Sequence, residues 1–322
     1  MPSLSGNIKK YLKKIRSSRR HSALSGSFDI NQFKRIFIDP CFNSCNLKCP
    51  YCPVGLGLKL QDMSKGMLSA ETLKEIWTKS LSNYKGKIGL YNWGESFLNS
   101  DLPAIVKYIK DNSKAQLVLN SNFSFNYDNR IMEILKYLDN DIIIISCDGF
   151  SQSTCEKYRV NVDFNHVMHN VELINNNKKR QTRLKWQYLK FPWNPDELES
   201  ACEFCKENNI SFYTDDGGIT PDYPMLPSPF TFNRNKFRCE FFLDSLTINF
   251  DGEVYPCCAY YGPKRYSIGN AIKNSLEEIF TKGRGRDMLD YLMLKSDGSS
   301  ELFCKHCIDR NASELKNWKG DV

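Results

Sequence analysis

The sequence lacks any apolar run that could cross a membrane. Its longest strongly apolar stretch, Ile142 to Ile145, is far shorter than the roughly 20 residues that a transmembrane helix needs. The N-terminus also lacks a secretory signal, because polar and basic residues follow Met1 where an apolar core and a cleavage site would be expected. We therefore expect a cytoplasmic protein without a membrane span.

Acidic residues are absent from the first twenty positions, which hold a run of basic ones: Lys9, Lys10, Lys13, Lys14, Arg16, Arg19 and Arg20. The simplest interpretation of this basic run is a solvated helix at the N-terminus. The alternative is contact with an anionic surface, nucleic acid or a phosphorylated substrate. The net charge is +7, so the rest of the chain is close to neutral. Composition therefore gives no specific nucleic-acid signal.

Histidine is scarce, with 4 residues, whereas cysteine is abundant, with 13. In a reducing compartment so many thiols are not expected to form a disulfide framework, and clustered ones indicate metal or redox chemistry. Seven of the cysteines form two groups, one near each end of the chain: Cys45, Cys49 and Cys52, then Cys239, Cys257, Cys304 and Cys307.

Short β-rich runs alternate with amphipathic helical patterns from about residue 34 onward. This alternation predicts an α/β fold with a parallel sheet, and six such units suggest an open or incomplete barrel. Functional groups are then expected at the carboxyl ends of the strands. The strand candidates are 35–39, 87–91, 116–120, 141–147, 183–190 and 210–214, and the helical patterns lie near 70–83, 101–111, 128–138, 164–176 and 195–208.

The composition divides the chain into four segments. A basic extension (1–33) precedes the barrel (34–214), and a Pro-rich linker (215–238) leads to a small C-terminal domain (239–322). In the last segment a β-hairpin is predicted to turn at Asp251-Gly252, followed by one helix over about 275–293.

The first cysteine group follows the first predicted strand as Cys45-x3-Cys49-x2-Cys52. Soft thiolates at this spacing suit an iron–sulfur cluster, and three ligands for a four-iron cluster leave one iron open to a substrate or cosubstrate. The alternative is a structural zinc site, for which Cys41 is the nearby fourth thiol, at an unusual spacing.

This motif resembles the signature of the radical S-adenosylmethionine (radical SAM) superfamily. The resemblance implies a partial (β/α)6 barrel and a [4Fe–4S] cluster whose open iron binds S-adenosylmethionine. It also implies reductive cleavage of that cofactor to a 5′-deoxyadenosyl radical, with an electron donor such as flavodoxin or ferredoxin as partner. Tyr51, just before the last cysteine, matches the family position beside the adenine.

Two further elements resemble cofactor-binding elements of the superfamily. Trp93-Gly94-Glu95 ends the second predicted strand and is similar to a Gly-Gly-Glu element that receives the cofactor's amino group, with Trp93 replacing the first glycine. Ser146 ends the fourth predicted strand and matches a ribose contact, while Arg159 matches a contact to the cofactor carboxylate. The alternative for this element, which continues to Asp148 and Gly149, is a turn aspartate, and for Arg159 it is a surface arginine.

The second cysteine group resembles the SPASM and Twitch domains that hold auxiliary clusters in many superfamily members. The matching parts are the Gly252-x4-Cys257 hairpin and the closing Cys304-x2-Cys307, with Cys239 before them. No cysteine follows Cys307, so we expect a single auxiliary [4Fe–4S] cluster. A four-cysteine zinc site is the alternative, and the adjacent Cys258 makes the ligand choice ambiguous.

Two functions follow from the resemblance. The first is oxidation, by dehydrogenation, of a small molecule such as a sugar or cyclitol, with the auxiliary cluster as electron acceptor. The alternative is modification of a peptide or protein, which the short stretch before Cys45 disfavours because many peptide modifiers carry a leader-binding domain there. The sequence leaves the catalytic acid or base unassigned. The candidates are Asp215, Asp216, Asp244 and Arg159, and no spacing singles one out.

Overall fold

The computed structural model describes residues 28–57, 65–216, 244–258 and 264–292. Most of the predicted basic extension and of the predicted linker lies outside these residues. So do three members of the second cysteine group: Cys239, Cys304 and Cys307.

The described chain alternates strands and helices, as the sequence predicts. The strands are β1 (Arg35–Ile38), β2 (Cys41–Phe42), β3 (Gly66–Met67), β4 (Lys87–Leu90), β5 (Gln116–Ser121), β6 (Ile142–Ser146), β7 (Arg183–Lys190), β8 (Ser211–Asp216), β9 (Ser245–Ile248), β10 (Glu253–Tyr255) and β11 (Gly269–Asn270). The helices are α1 (Ala70–Ile76), which continues as a π-helix over Trp77–Leu81, then α2 (Leu102–Asn112), α3 (Asp128–Leu135), α4 (Gln152–Cys155), α5 (Phe164–Asn177), α6 (Leu198–Glu207), α7 (Leu276–Thr281) and α8 (Arg284–Leu292).

Nine strands form one sheet in the order β11-β10-β9-β1-β4-β5-β6-β7-β8. The six strands from β1 to β8 in this order pair in parallel and are the six strands predicted from the sequence. Parallel neighbours need crossover connections, and helices between them supply these. The fold is therefore the expected α/β partial barrel.

Helix starts follow from local capping. The Ser69 hydroxyl accepts a hydrogen bond from Thr72 N (3.0 Å) at the start of α1, and Asp163 Oδ1 accepts one from His166 N (3.0 Å) at the start of α5. Such side chains satisfy N–H groups that have no partner within the helix. The caps fix where each helix begins and thus the length of the loops that leave the strands.

The two faces of the sheet differ in polarity. On β7, Leu184, Trp186 and Tyr188 are buried, and Trp186 packs edge-on against Phe204 of α6. Because side chains alternate along a strand, the intervening residues lie on the opposite face. We call this the concave face. By strand register it carries Arg35, Phe37, Lys87, Gly89, Val118, Asn120, Ile144, Ser146, Arg183, Lys185, Gln187, Tyr213 and Asp215.

The predicted hairpin is present, and it extends the barrel sheet. β9 pairs in parallel with β1 over its whole length, and β10 pairs antiparallel with β9. Gly252 takes a positive φ of 79° in the turn, which glycine adopts without strain. The hairpin that precedes Cys257 is thus joined to the barrel through backbone hydrogen bonds.

The predicted single helix over 275–293 is wrong in one respect. It is two helices, α7 and α8, separated at Lys282 and Gly283. Ser275 and Glu278 form a capping box at the start of α7. At Gly283 the chain passes so close to α7 that a Cβ would lie 3.1 Å from the Ile279 carbonyl oxygen. The sequence shows the helical spacing of apolar residues but gives no clear signal for the interruption between α7 and α8.

Within the described segments, none of the helices is both long and apolar enough to span a bilayer.

Candidate metal and cofactor site

The first cysteine group lies in the loop after β2, at the carboxyl edge of the parallel strands. Cys49 is buried, and Cys45 and Cys52 are partly buried. Cys52 N donates to the Cys49 carbonyl (3.2 Å), which closes a tight turn between these two thiols. Gly55 packs directly on this turn, since a Cβ there would lie 2.3 Å from the Cys49 carbonyl oxygen. The structure therefore brings the three predicted ligands into one compact loop.

Burial favours the protonated form of the Cys45 and Cys49 thiols in the absence of a metal. Burial, and then the nearby Glu95 carboxylate, raise the pKa of Cys45 to about 11. Burial raises the pKa of Cys49 to about 12, against the opposing effect of the Arg159 charge. Soft, closely spaced thiols suit iron or zinc, whose binding must displace these protons. In the described segments no three His, Cys, Asp or Glu side chains are arranged around a single-ion site.

Cys41 lies on β2 and is fully buried. Its thiol donates to the Ser44 carbonyl (3.5 Å), a contact inside the loop. Burial, and then the Asp39 carboxylate, raise its pKa to about 12. In this arrangement the Cys41 thiol supports the backbone ahead of Cys45.

The Trp93-Gly94-Glu95 element packs against the cysteine loop. Asn43 N donates to the Trp93 carbonyl (2.7 Å), and Glu95 N donates to the Ser44 carbonyl (2.8 Å). A Cβ on Gly94 would lie 1.6 Å from the Cys41 carbonyl oxygen, so only glycine permits this approach. The second loop thus holds the backbone of the first.

The Glu95 carboxylate is buried and already accepts protein hydrogen bonds. Its two oxygens accept from Phe97 N (3.1 Å) and Asn122 N (2.9 Å). Burial raises the Glu95 pKa to about 7 despite these bonds. Glu95 therefore connects the ends of β4 and β5, a structural role that stands beside the predicted contact to a cofactor amine.

Asp39 is a site residue that the sequence reasoning missed. It is buried at the end of β1, where its carboxylate accepts from Cys41 N (3.1 Å) and Trp93 N (2.8 Å). Burial raises its pKa to about 6. An acidic residue directly after a buried apolar strand was the available signal.

Ser146 belongs to a row of polar side chains across four neighbouring strands. Its hydroxyl donates to Asn120 Oδ1 (2.7 Å) and lies 3.4 Å from Gln187 Oε1, while Gln187 Nε2 donates to Asp215 Oδ2 (3.4 Å). We call Asn120, Ser146, Gln187 and Asp215 the polar row. It lies on the concave face near the carboxyl edge, with Asp215 exposed.

Arg159 and Tyr51 lie beside the cysteine loop. The Arg159 guanidinium is buried and forms an ion pair with Asp148 (2.8 Å between Nε and Oδ2). Lys48 N donates to the Val160 carbonyl (3.0 Å), which ties the Arg159 segment to the cysteines. Tyr51 stacks on Tyr158 (6.0 Å between ring centroids) and keeps 40% of its surface exposed. Both predicted residues therefore border the same loop.

Cys257, the member of the second cysteine group that the structure describes, lies toward the opposite edge of the sheet. Cys257 follows β10, which runs antiparallel to β9 and so ends at the edge where β1 begins. Cys257 and Cys258 are partly exposed thiols. Burial and the Cys258 thiol raise the pKa of Tyr91, whose side chain extends over the concave face. Cys257 and the first cysteine group thus lie toward opposite edges of the concave face.

Comparison with known proteins gives two family matches. The model of the radical SAM superfamily matches residues 40–205, and that of the SPASM iron–sulfur cluster-binding domain matches residues 239–308. A comparison with curated protein sequences found no match.

Several solved structures share the fold. BtrN in complex with AdoMet and 2-DOIA is 16% identical, with a TM-score of 0.54, and covers 85% of this chain and 92% of its own. Streptococcus suis SuiB bound to S-adenosylmethionine is 16% identical, with a TM-score of 0.61 and coverages of 88% and 73%. Native anSMEcpe with bound AdoMet is 17% identical, with a TM-score of 0.55 and coverages of 79% and 82%. At these identities the likeness shows the fold alone.

Proposed function

This chain belongs to the radical SAM superfamily, and from that premise we propose that it oxidises a small hydroxylated molecule by hydrogen abstraction at carbon. As a family member it binds a [4Fe–4S] cluster and S-adenosylmethionine, and its SPASM region carries auxiliary iron–sulfur. We propose Cys45, Cys49 and Cys52 as the ligands of the first cluster. Cys257, with Cys239, Cys304 and Cys307 outside the described residues, is proposed for a single auxiliary cluster.

When bound, these groups supply one-electron chemistry: the first yields the hydrogen-abstracting radical from S-adenosylmethionine, and the auxiliary one accepts an electron. The chain's own residues must bind the substrate, orient it and take its proton. Tyr51, Trp93, Gly94, Glu95, Ser146 and Arg159 remain our proposed cofactor contacts. The position of Tyr51, Trp93, Gly94, Glu95 and Arg159 around the cysteine loop supports this, and Ser146 lies at the carboxyl end of β6.

The polar row is the observation that carries the choice of substrate. It presents a hydroxyl, two carboxamides and a carboxylate on the concave face near the carboxyl edge. Such groups donate and accept hydrogen bonds at fixed points, as the hydroxyls of a sugar or cyclitol require. BtrN, a structural neighbour of similar length, was crystallised with 2-DOIA.

Asp215 is our proposed proton acceptor among the three carboxylates that the sequence left open. Oxidation of an alcohol removes a hydrogen atom from carbon, a proton from oxygen and one electron. Asp215 lies exposed on the concave face, bonded to Gln187. Asp244, in contrast, pairs with Lys34 (2.7 Å) ahead of β1 and β9, at the far edge. The side chain of Asp216 lies outside the described part of the structure.

Anaerobic reconstitution tests the proposal. With dithionite and S-adenosylmethionine the protein should release 5′-deoxyadenosine, and Cys45→Ala/Cys49→Ala/Cys52→Ala should abolish that release. An aminocyclitol or sugar panel should then yield a ketone, and Asp215→Asn should lower kcat by about 10²- to 10⁴-fold. Release of 5′-deoxyadenosine by the triple variant would contradict the proposal.

Peptide modification is the second candidate. SuiB was also solved with its precursor peptide SuiA, and anSMEcpe with a peptide, and both share this fold. The polyol panel separates the two functions. If deuterium from labelled peptides, and never from labelled polyols, appears in 5′-deoxyadenosine, the small-molecule proposal is wrong.

A further inference from the structure

Two thiols that the candidate metal site does not use are in contact at the end of β6. Cys147 directly follows β6, and Cys155 is the last residue of α4. Their Sγ atoms are 3.3 Å apart, within hydrogen-bonding distance for sulfur, and both side chains are fully buried. We call Cys147 and Cys155 the buried dithiol.

The backbone on both sides holds the two thiols together. Cys147 N donates to the Gln187 carbonyl (3.2 Å), which continues the pairing of β6 with β7, and Cys155 N donates to the Ser151 carbonyl (3.0 Å). Gly149 packs directly on the second thiol, since a Cβ there would lie 3.0 Å from Cys155 Sγ. The contact between the thiols is therefore set by a tight turn of the main chain.

Two thiols in contact can undergo a reaction that a single thiol cannot, oxidation to an internal disulfide. The sulfur atoms of a disulfide are about 2.05 Å apart, so the two Sγ atoms need to approach by roughly 1.2 Å. In exchange with a small-molecule disulfide such as glutathione disulfide, one thiolate forms a mixed disulfide and the second thiolate then displaces glutathione. The protein loses two electrons and two protons, and one glutathione disulfide becomes two glutathione thiols.

The reduced pair is the resting form. The hydrogen bond with Cys155, and then burial, raise the pKa of Cys147 well above its usual value. Because the thiolate is the reacting species, oxidation of the pair is slow while the fold around it stays closed. The buried dithiol therefore responds to a sustained change in the balance of thiols and disulfides, and a brief change leaves it reduced.

The buried dithiol lies between two of the proposed cofactor contacts. Ser146 precedes Cys147 in the chain. The Cys155 carbonyl accepts a hydrogen bond from Arg159 N (2.8 Å). Asp148, which follows Cys147, pairs with the Arg159 guanidinium (2.8 Å). Closing a disulfide therefore shifts the ends of β6 and α4 relative to one another, and both cofactor contacts are attached to these ends.

We propose that Cys147 and Cys155 form a redox-active site, in which a small-molecule disulfide oxidises the pair and the resulting protein disulfide weakens the binding of S-adenosylmethionine. Formation of the disulfide follows from the contact between the thiols alone. The effect on binding rests on the proposed function, because it requires Ser146 and Arg159 to be cofactor contacts. Weakening one charge-assisted hydrogen bond lowers an affinity by about tenfold.

Mass spectrometry of the reconstituted protein, after anaerobic equilibration with mixtures of glutathione and glutathione disulfide, tests for the protein disulfide. Trypsin releases residues 137–157 as one fragment, which contains both thiols of the buried dithiol and no other cysteine. As the share of glutathione disulfide rises, this fragment should lose two hydrogens and resist alkylation, and dithiothreitol should restore both thiols. If the fragment keeps two alkylatable thiols at every ratio, or carries glutathione on one of them, the proposal is wrong.

The tryptic fragment 191–206 is the internal control. It also contains two cysteines, Cys202 and Cys205 of α6, of which the first is exposed and the second is buried. Exposure makes Cys202 the faster thiol to react, and we expect it to take up glutathione singly, without loss of two hydrogens from the fragment. Equal disulfide formation in both fragments would show that the thiol contact does not select the reacting pair, and would contradict the proposal.

Equilibrium dialysis with S-adenosylmethionine tests the effect on binding. Protein with an oxidised 137–157 fragment and unchanged iron content should bind about tenfold more weakly than reduced protein. Cys155→Ala, which cannot form the disulfide, should bind equally in both buffers, and Cys147→Ala gives the same control if Cys155→Ala folds poorly. Equal binding by oxidised and reduced wild type would overturn the proposed effect.

Arg159→Gln distinguishes this failure from failure of the proposed function. If Arg159→Gln binds S-adenosylmethionine more weakly than wild type while oxidation has no effect, the cofactor contact holds and the influence of the dithiol is wrong. If Arg159→Gln binds like wild type, the assignment of Arg159 as a cofactor contact is itself wrong. The disulfide measurement involves neither cofactor nor turnover, so its result stands in both cases.

Discussion

At Glu95, burial and hydrogen bonding act in opposite directions on one carboxyl group. The bonds from Phe97 N and Asn122 N favour the carboxylate, whereas complete burial favours the neutral acid and raises the pKa to about 7. Arg159 also makes a structural contact, since its guanidinium forms an ion pair with Asp148. Glu95 and Arg159, which the family resemblance predicts as cofactor contacts, thus also hold the loops in place. Sequence motifs alone do not reveal this second role.

Replacing Glu95 by glutamine should change how stability depends on pH. The folded state keeps the Glu95 proton up to about pH 7, whereas an ordinary glutamate loses it near 4.5. The folded state therefore binds more protons between these values, and the wild-type free energy of unfolding falls as pH rises through this window. Glu95→Gln removes that slope, so its stability relative to wild type should improve by roughly 2.5 kcal/mol between pH 5 and pH 8.

Urea unfolding at several pH values, followed by tryptophan fluorescence, measures this difference. Glu133→Gln is the control, because Glu133 is an exposed side chain on α3 paired with Lys136. Its difference from wild type should stay nearly constant over the same range. If the free energies of unfolding of Glu95→Gln and wild type changed equally with pH, the raised pKa of Glu95 would be wrong.

Among the elements, those with a strong local pattern were predictable. The six parallel strands are short apolar runs between helical patterns, and the hairpin has an Asp-Gly turn, so both are found where expected. The pairing of β9 with β1 was not predictable, because parallel pairing joins residues about 210 positions apart in the sequence with no local signal. The polar row was likewise only partly visible, since Asn120, Gln187 and Asp215 meet through strand register.

The contact between the cysteine loop and the loop that contains Trp93 and Glu95 depends on Gly94. Adding one methyl group at Gly94 should therefore strongly reduce cluster binding. In Gly94→Ala the new Cβ would overlap the Cys41 carbonyl oxygen, and relief requires the loops to separate. The hydrogen bonds between Asn43 and Trp93 and between Glu95 and Ser44 would then be lost, at about 1 kcal/mol each. We expect the variant to lose most of its first cluster, measured as iron per chain after reconstitution in a variant that lacks Cys257.

Gly57→Ala is the comparison for this experiment. Gly57 has a φ of 63° and no atom within 4 Å of a built Cβ, so alanine there carries only the backbone penalty of about 1–2 kcal/mol. Its iron content should stay near that of the parent. Equal iron contents in both alanine variants would show that the loop contact does not position the cysteines.

On the scale of the whole molecule, one sheet connects the first cysteine group to Cys257. The first lies at the carboxyl edge beyond β1, and Cys257 lies toward the edge where β1 begins, with the concave face between them. A substrate held on the polar row would therefore lie between the site of hydrogen abstraction and the proposed electron acceptor. This geometry requires the hairpin and the barrel to keep a fixed distance.

The shared sheet predicts that a core substitution in the hairpin weakens the barrel as well. Ile248 on β9 is fully buried, and its carbonyl accepts from Asp39 N (2.9 Å), next to the cysteine loop. Ile248→Ala should lower the free energy of unfolding by about 2–5 kcal/mol, whereas Lys273→Ala, at an exposed position, should change it little. Because β9 and β1 share hydrogen bonds, amide exchange should accelerate in β5 and β6 as well as in the hairpin. Faster exchange confined to the hairpin would instead mean that the hairpin opens independently of the barrel. The sheet could then not maintain a fixed distance between the first cysteine group and Cys257.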